Sequence, residues 1–109
     1  MTASQFRRMA LSLPEVEERA HMRHPDFRVG GKVFATLGYP DKSFGMIKLT
    51  PEQQRICVQA HPAVFVPAPG AWGRQGNTLV RLKPASSDFV EEAMRAAWLA
   101  RAPKITSRK

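Results

Sequence analysis

A pair of glycines between two short segments with a two-residue period constrains the fold of this chain more than any other feature. Residues 27–29 and 32–37 flank Gly30 and Gly31. Because adjacent glycines accept the positive φ angles of a tight two-residue turn, the pattern predicts a β-hairpin. In the register set by this turn, Phe27 lies opposite Phe34 as an aromatic cross-strand pair. The chain is therefore expected to contain antiparallel sheet.

Helix signals occur at three places around this hairpin. Thr2 with Gln5, and Thr50 with Gln53, have the spacing of a capping box, in which each side chain satisfies a free backbone donor. A third helix is predicted to begin near Ser86 and to end before Pro103. Apolar residues with strand-like patterns predict further strands at residues 16–22, 44–49, 63–66 and 78–82.

The order helix, strands, helix, strands, helix predicts an α+β fold. We expect a single two-layer sandwich, in which three helices pack mainly on one face of an antiparallel sheet. A length of 109 residues is typical of one domain. We assign residues 1–105 to that domain, and residues 106–109 to a short basic tail that frays.

The sequence argues against a membrane or secreted protein. No apolar run approaches the roughly 20 residues that span a bilayer. The first eight residues contain no apolar segment of a secretory signal. Cys57 is the single cysteine, which excludes an internal disulfide. We therefore expect a soluble cytoplasmic protein with no membrane partner, and favour a monomer.

Motifs for catalysis or for a cofactor are also missing from the sequence. It has no G-x-S-x-G elbow, phosphate-binding loop or dinucleotide fingerprint. Cys57 and His61 have helical spacing, but no further ligands are spaced to join them in a metal site. We expect no enzyme activity, no cofactor and no metal.

The positive charge of the chain indicates a polyanionic partner, or serves solubility alone. Lys and Arg number 17 against 9 Asp and Glu, which gives a net charge of +8. Residues 42–83 hold six of these cations and one acid, Glu52. Phosphate contacts would use basic loops and strand faces, where Arg81 and Lys83 share one face of a strand. The alternative is that Arg81 and Lys83 lie on a solvated outer face of the sheet and bind no phosphate. The candidate nucleic-acid-binding residues are Lys42, Lys48, Trp72, Arg74, Arg81 and Lys83.

Residues 67–77 are predicted to form a long loop between two strands. The segment contains two prolines, three glycines, Trp72 and Arg74. Long ordered loops in small domains are often functional, and Trp72 and Arg74 have the chemistry to stack on a ligand and to neutralise it. The alternative is a connection anchored by a buried Trp72.

Four segments, together with His21, resemble the MmcQ/YjbR family in order and spacing. They are residues 13–18 (LPEVEE), 25–35 (PDFRVGGKVFA), 48–54 (KLTPEQQ) and 67–73 (PAPGAWG). The resemblance covers nearly the whole chain and implies a frataxin-like (CyaY-like) sandwich. It also implies a non-catalytic DNA-binding protein with a double-wing type of motif. The acidic iron-binding ridge of frataxin does not transfer, because the first helix carries Arg7 and Arg8 and no acids.

Two functional hypotheses follow. The first is binding of nucleic acid, in the form of double-stranded DNA, through phosphate contacts. The second is a non-enzymatic interaction module that binds a protein or a small anionic ligand through residues 67–77.

Overall fold

The fold is α+β and consists of a six-stranded open sheet with four helices, as seen in a computed structural model that describes residues 1–102. The predicted tail at residues 106–109 lies outside the described residues. The elements in chain order are α1 (Ala3–Leu11), β1 (Val16–His21), β2 (His24–Val29), β3 (Lys32–Leu37), β4 (Phe44–Lys48), α2 (Pro51–Ala60), β5 (Phe65–Pro67), α3 (Gly70–Arg74), β6 (Asn77–Arg81) and α4 (Ser87–Arg101).

The strand order is β1-β2-β3-β4-β6-β5, and every neighbouring pair is antiparallel. The antiparallel sheet predicted from the sequence is thus confirmed. Both capping boxes are also present, with Thr2 and Gln5 at α1 and Thr50 and Gln53 at α2. None of the helices within residues 1–102 has the length and apolar character needed to cross a membrane.

The predicted number of helices is wrong by one. Residues 67–77 are not a continuous loop, because α3 forms within them. This helix has only five residues, and two of them are glycines. Since so short a segment shows no helical period and glycine disfavours a helix, no local signal marks it.

The predicted pairing of Phe27 with Phe34 is also wrong. The register next to the turn is as expected, with Arg28 opposite Val33 and with positive φ at Gly30 and Gly31. Beyond Arg28 the register shifts, and Phe27 lies opposite Ala35. Phe34 is therefore the extra residue of a β-bulge, and both Phe34 and Ala35 are buried in the main core.

The core is divided between the two faces of the sheet. The main cluster contains Phe6 of α1 and Met94 of α4, packed with sheet residues such as Ile47 and Val80. A smaller cluster on the other face contains Met46, Ala68 and Leu79, with Tyr39, Phe44 and Val66 against it. Because neighbouring strand residues point to opposite faces, Met46 and Ile47 belong to different clusters. The candidate site lies on the face with the smaller cluster.

Candidate functional site

One row of directly opposed residues crosses four strands on this second face. The row runs from Asp26 through Thr36 and Met46 to Leu79, each pair being in register across the sheet. A cavity of about 460 Å³ opens beside the row, and we call it the sheet pocket. Its lining residues are His21, Met22, His24, Arg28, Val33, Thr36, Tyr39, Met46, Lys48 and Trp72.

A buried carboxylate organises one wall of the sheet pocket. Asp26 has no solvent exposure, and its Oδ1 accepts a hydrogen bond from Arg28 Nε at 2.8 Å. Its Oδ2 lies 3.1 Å from Arg28 Nη2 and 2.7 Å from His21 Nδ1. The hydrogen bonds from Arg28, and to a lesser extent the bond with His21, hold the pKa of Asp26 below its ordinary value despite burial. The carboxylate is thus ionised and fixes both partners in place.

Three aromatic rings form another wall of the pocket. The Tyr39 ring meets the Trp72 ring edge to face, with centroids 5.6 Å apart. His24 meets Tyr39 in the same way at 6.3 Å. The Trp72 side chain is 40% exposed, so part of its surface is available to a ligand. Edge-to-face rings stabilise one another, so these contacts fix the orientation of Trp72 at the pocket.

Lys48 is the one cation of the lining that has no carboxylate partner among residues 1–102. Its side chain is half-buried at the end of β4. Desolvation lowers the pKa of Lys48, and the nearby positive charge of Arg101 lowers it further. Arg101 Nη1 also donates to the carbonyl oxygen of Lys48 at 3.2 Å. The charge of Lys48 is therefore undercompensated, and an anion in the pocket would relieve it.

Two amide side chains place α3 and with it Trp72. Asn77 Nδ2 donates to the carbonyl oxygen of Trp72 at 2.9 Å. Gln54 Nε2 reaches from α2 to the carbonyl oxygen of Gly73, also at 2.9 Å. Side-chain to backbone bonds of this kind satisfy polar groups that a short helix leaves free. The aromatic end of the pocket is thus built on hydrogen bonds from α2 and β6.

The six candidate nucleic-acid-binding residues fall into three places. Lys48 and Trp72 line the sheet pocket, whereas Arg74 is exposed at the end of α3 and does not line it. The other three, Lys42, Arg81 and Lys83, are exposed and lie at one end of the sheet, which we call the cationic end.

Two backbone contacts bring the residues of the cationic end together. Phe44 is the register partner of Arg81. The Leu82 amide donates to the carbonyl oxygen of Ser43 at 3.0 Å, which places Lys83 beside the turn that carries Lys42. Asp41 is the acid of this turn, and hydrogen bonds from Ser43 lower its pKa. Three cations therefore face one carboxylate at this end.

Family comparison agrees with the segments seen in the sequence. The model of the YjbR family matches residues 11–100. The chain belongs to the YjbR family. A search of curated proteins finds no match to this YjbR chain. Its fold is similar to the crystal structure of protein DR2400 of Deinococcus radiodurans, which carries the family domain DUF419. The TM-score is 0.74 at 21% sequence identity, and the match covers 91% of the present chain and 77% of the DR2400 chain.

Sequence reasoning missed three residues of the site, which are Asp26, Arg28 and Tyr39. It also assigned no role in binding to His21 and His24. One signal was present, since Asp26 and Arg28 alternate with the apolar Phe27 and Val29. That alternation puts both charges on the face opposite the main core. Their meeting with Met46 and Trp72 depends on pairing across four strands, which no local pattern contains.

A metal centre at this cluster finds no support in the geometry. His21 and Asp26 are hydrogen-bonded to each other, and Arg28 fills the remaining side of the carboxylate. Within the described part of the YjbR chain, no three His, Cys, Asp or Glu residues are grouped as metal ligands. The cluster instead presents fixed donors and cations to the sheet pocket.

Proposed function

We propose that the chain binds nucleic acid, with double-stranded DNA as the first candidate, through phosphate contacts at the cationic end. The observation that carries the proposal is the convergence of Lys42, Arg81 and Lys83 from two separate strand ends. None of the three lies within ion-pair distance of a carboxylate among residues 1–102. Exposed cations without partners bind phosphates with release of condensed counterions, and the net charge of +8 steers any polyanion toward the chain.

The proposal is non-catalytic, since phosphate contacts position a duplex without any bond being made or broken. It also treats the chain as a cytoplasmic monomer. We also propose that the sandwich is frataxin-like (CyaY-like), as the family resemblance implies.

Fluorescence anisotropy with a labelled duplex tests this function. Three phosphate contacts predict that the association constant falls about 40-fold between 50 and 200 mM salt. Arg81→Gln should weaken binding and reduce the slope of log K against log salt by about 0.9. Arg55→Gln, on the exposed surface of α2, removes the same charge elsewhere and is the matched control. Equal slopes for both variants, or no binding at 50 mM salt, would contradict the proposal.

The second function, binding of a small ligand or a protein through residues 67–77, has one observation in its favour. Trp72 lines the sheet pocket and is exposed enough to touch a ligand. Arg74, its expected partner, does not line the pocket. An anionic ligand in the sheet pocket would therefore form its ionic contact with a residue of the sheet and not with residues 67–77.

A further inference from the structure

We propose that the sheet pocket binds a small aromatic monocarboxylate, with the acid group at Arg28 and Lys48 and the ring against Trp72 and Tyr39. This function goes beyond nucleic-acid binding. It also depends on a different set of residues, since none of the pocket residues belongs to the cationic end.

The size of the pocket fits a small organic molecule. Ligand sites in proteins usually enclose about 300–1,000 Å³, and the sheet pocket measures about 460 Å³. The base of the pocket is rigid, because Thr36 and Met46 are almost fully buried and belong to neighbouring strands. A pre-formed base lowers the entropic cost of binding.

One end of the pocket offers donors for an anion. The bonds to Asp26 use Nε and Nη2 of Arg28, which leaves Nη1 for a ligand. Lys48 belongs to the same end, since Arg28 lies opposite Val33 and the pairing of Ala35 with Ile47 brings Lys48 beside the same part of β3. A guanidinium that a carboxylate already holds in place forms charge-assisted bonds without losing further rotamer freedom.

The charge balance favours a monoanion. Asp26 balances Arg28, and Glu17, the register partner of Arg28, has Arg19 at 3.9 Å. Of the lysine and arginine side chains in the lining, Lys48 then remains without a compensating carboxylate among residues 1–102, and Arg101 adds positive charge beside it. One carboxylate neutralises this charge, whereas a phosphate dianion would bring an excess negative charge into a half-buried site.

The aromatic wall of the pocket accepts a flat ring. Trp72 offers its exposed surface, and the edge-to-face contact with Tyr39 fixes the orientation of the wall. Met22 lies at the rim with 84% of its surface exposed, and its flexible thioether is suited to cover a ring of variable shape. Met22 and Arg23 form the two-residue turn between β1 and β2, which accounts for the positive φ of both residues and places Met22 at the rim.

The extent of the pocket along β2 bounds the length of the ligand. His24 and Arg28 both line the pocket and are four residues apart, which corresponds to about 13 Å of strand. Trp72 is held near Lys48, because Asn77, the register partner of Lys48, donates to the Trp72 carbonyl oxygen. A short linker between ring and acid group is therefore sufficient, as in 3-phenylpropionate.

Titration of the full chain with 3-phenylpropionate, followed by nitrogen–proton NMR, tests the proposal. Trp72 and Trp98 provide two indole signals, one inside the pocket and one outside it, where Trp98 Nε1 donates to the carbonyl oxygen of Pro14. We expect a saturable shift of the Trp72 signal and none of the Trp98 signal. Lys48→Met should weaken binding about tenfold, the usual effect of losing one charge-assisted contact.

The controls separate this proposal from nucleic-acid binding and from a folding defect. Arg81→Met removes a cation of the cationic end and should leave 3-phenylpropionate binding unchanged. Trp72→Leu, a second pocket variant, should also lower affinity while the spectrum stays dispersed, and its titration is followed through the backbone amide signals of Thr36 and Met46 on the pocket base. Three results would overturn the inference: equal affinity for the neutral amide 3-phenylpropionamide, tighter binding of adenosine monophosphate, or no saturable shift up to about 10 mM ligand.

Discussion

Gly73 packs so closely on Ala68 that a Cβ atom at Gly73 would lie 1.7 Å from the carbonyl oxygen of Ala68. The contact is with backbone, so no side-chain rotation can relieve it. Only a glycine at this position lets α3 fold back on the end of β5 and hold Trp72 over the sheet.

Gly73→Ala should therefore destabilise the protein by about 2–4 kcal/mol, because α3 must move away from Ala68. Gly70→Ala is the matched control in the same helix. Its Cβ would meet no heavy atom within 4 Å, and the positive φ of 67° costs about 1 kcal/mol. Urea unfolding measures both. Equal small losses would show that the Gly73 contact is not tight in solution.

Gln54→Met should lower the free energy of unfolding by about 1–2 kcal/mol. The Gln54 amide nitrogen donates to the carbonyl oxygens of Gly73 and Asn77 and lies 3.2 Å from the Thr78 hydroxyl. Methionine keeps the length of the side chain and loses these bonds. Gln59→Met, on the exposed surface of α2, is the control and should be nearly neutral. Thermal unfolding that is the same for both variants would contradict a role for Gln54 in holding α3.

Asp26→Asn should cost about 2–3 kcal/mol at neutral pH, because it removes the charge that Arg28 and His21 bond in a fully buried place. The pKa of Asp26 is lower in the folded than in the unfolded chain. Its stabilising effect is thus complete above about pH 4 and declines as the pH falls through the folded-state pKa. The difference in unfolding free energy between the two proteins should shrink from pH 4 toward pH 2. A constant difference would exclude Asp26 as the titrating group.

Lys48→Met should raise the unfolding temperature at pH 7, since a desolvated cation beside Arg101 is replaced by an apolar side chain. The pKa of Lys48 is lower in the folded than in the unfolded chain, so the charge penalty is present at neutral pH and is relieved as the pH rises toward about 10.4. The advantage of the variant should therefore decrease in alkaline solution. Lys83→Met, at an exposed position, is the matched control and should change the unfolding temperature at pH 7 only slightly. A gain for Lys48→Met that stays constant up to about pH 10.4 would contradict the assignment.

Local chemistry explains which parts of the fold are predictable from the sequence. A capping box such as Thr50 with Gln53 and a two-glycine turn complete their hydrogen bonds within a few residues. Their signals are thus contained in the segment itself. Strand ends differ from expectation by a residue or two, as for β5, which spans Phe65–Pro67 against an expected 63–66.

The pocket is not predictable in this way. Asp26 and Met46 share one row only because β3 lies between their strands, and Trp72 reaches the row from a helix stabilised by Gln54 and Asn77. Sequence reasoning identified Lys48 and Trp72 as binding candidates from charge and aromatic character. It could not place them on a common surface, since long-range register is set by packing of the whole sheet.

The bulge at Phe34 determines which side chains of β3 reach the pocket. Strict alternation from Val33 would turn Ala35 and Leu37 toward the cavity and bury the Thr36 hydroxyl in the main core. The extra residue instead shifts the alternation of side chains along β3 by one position. Two consecutive buried residues, Phe34 and Ala35, mark the place where this shift occurs. Members of the family with such a doublet after the hairpin turn should have an open cavity, and members with unbroken alternation should have a filled one.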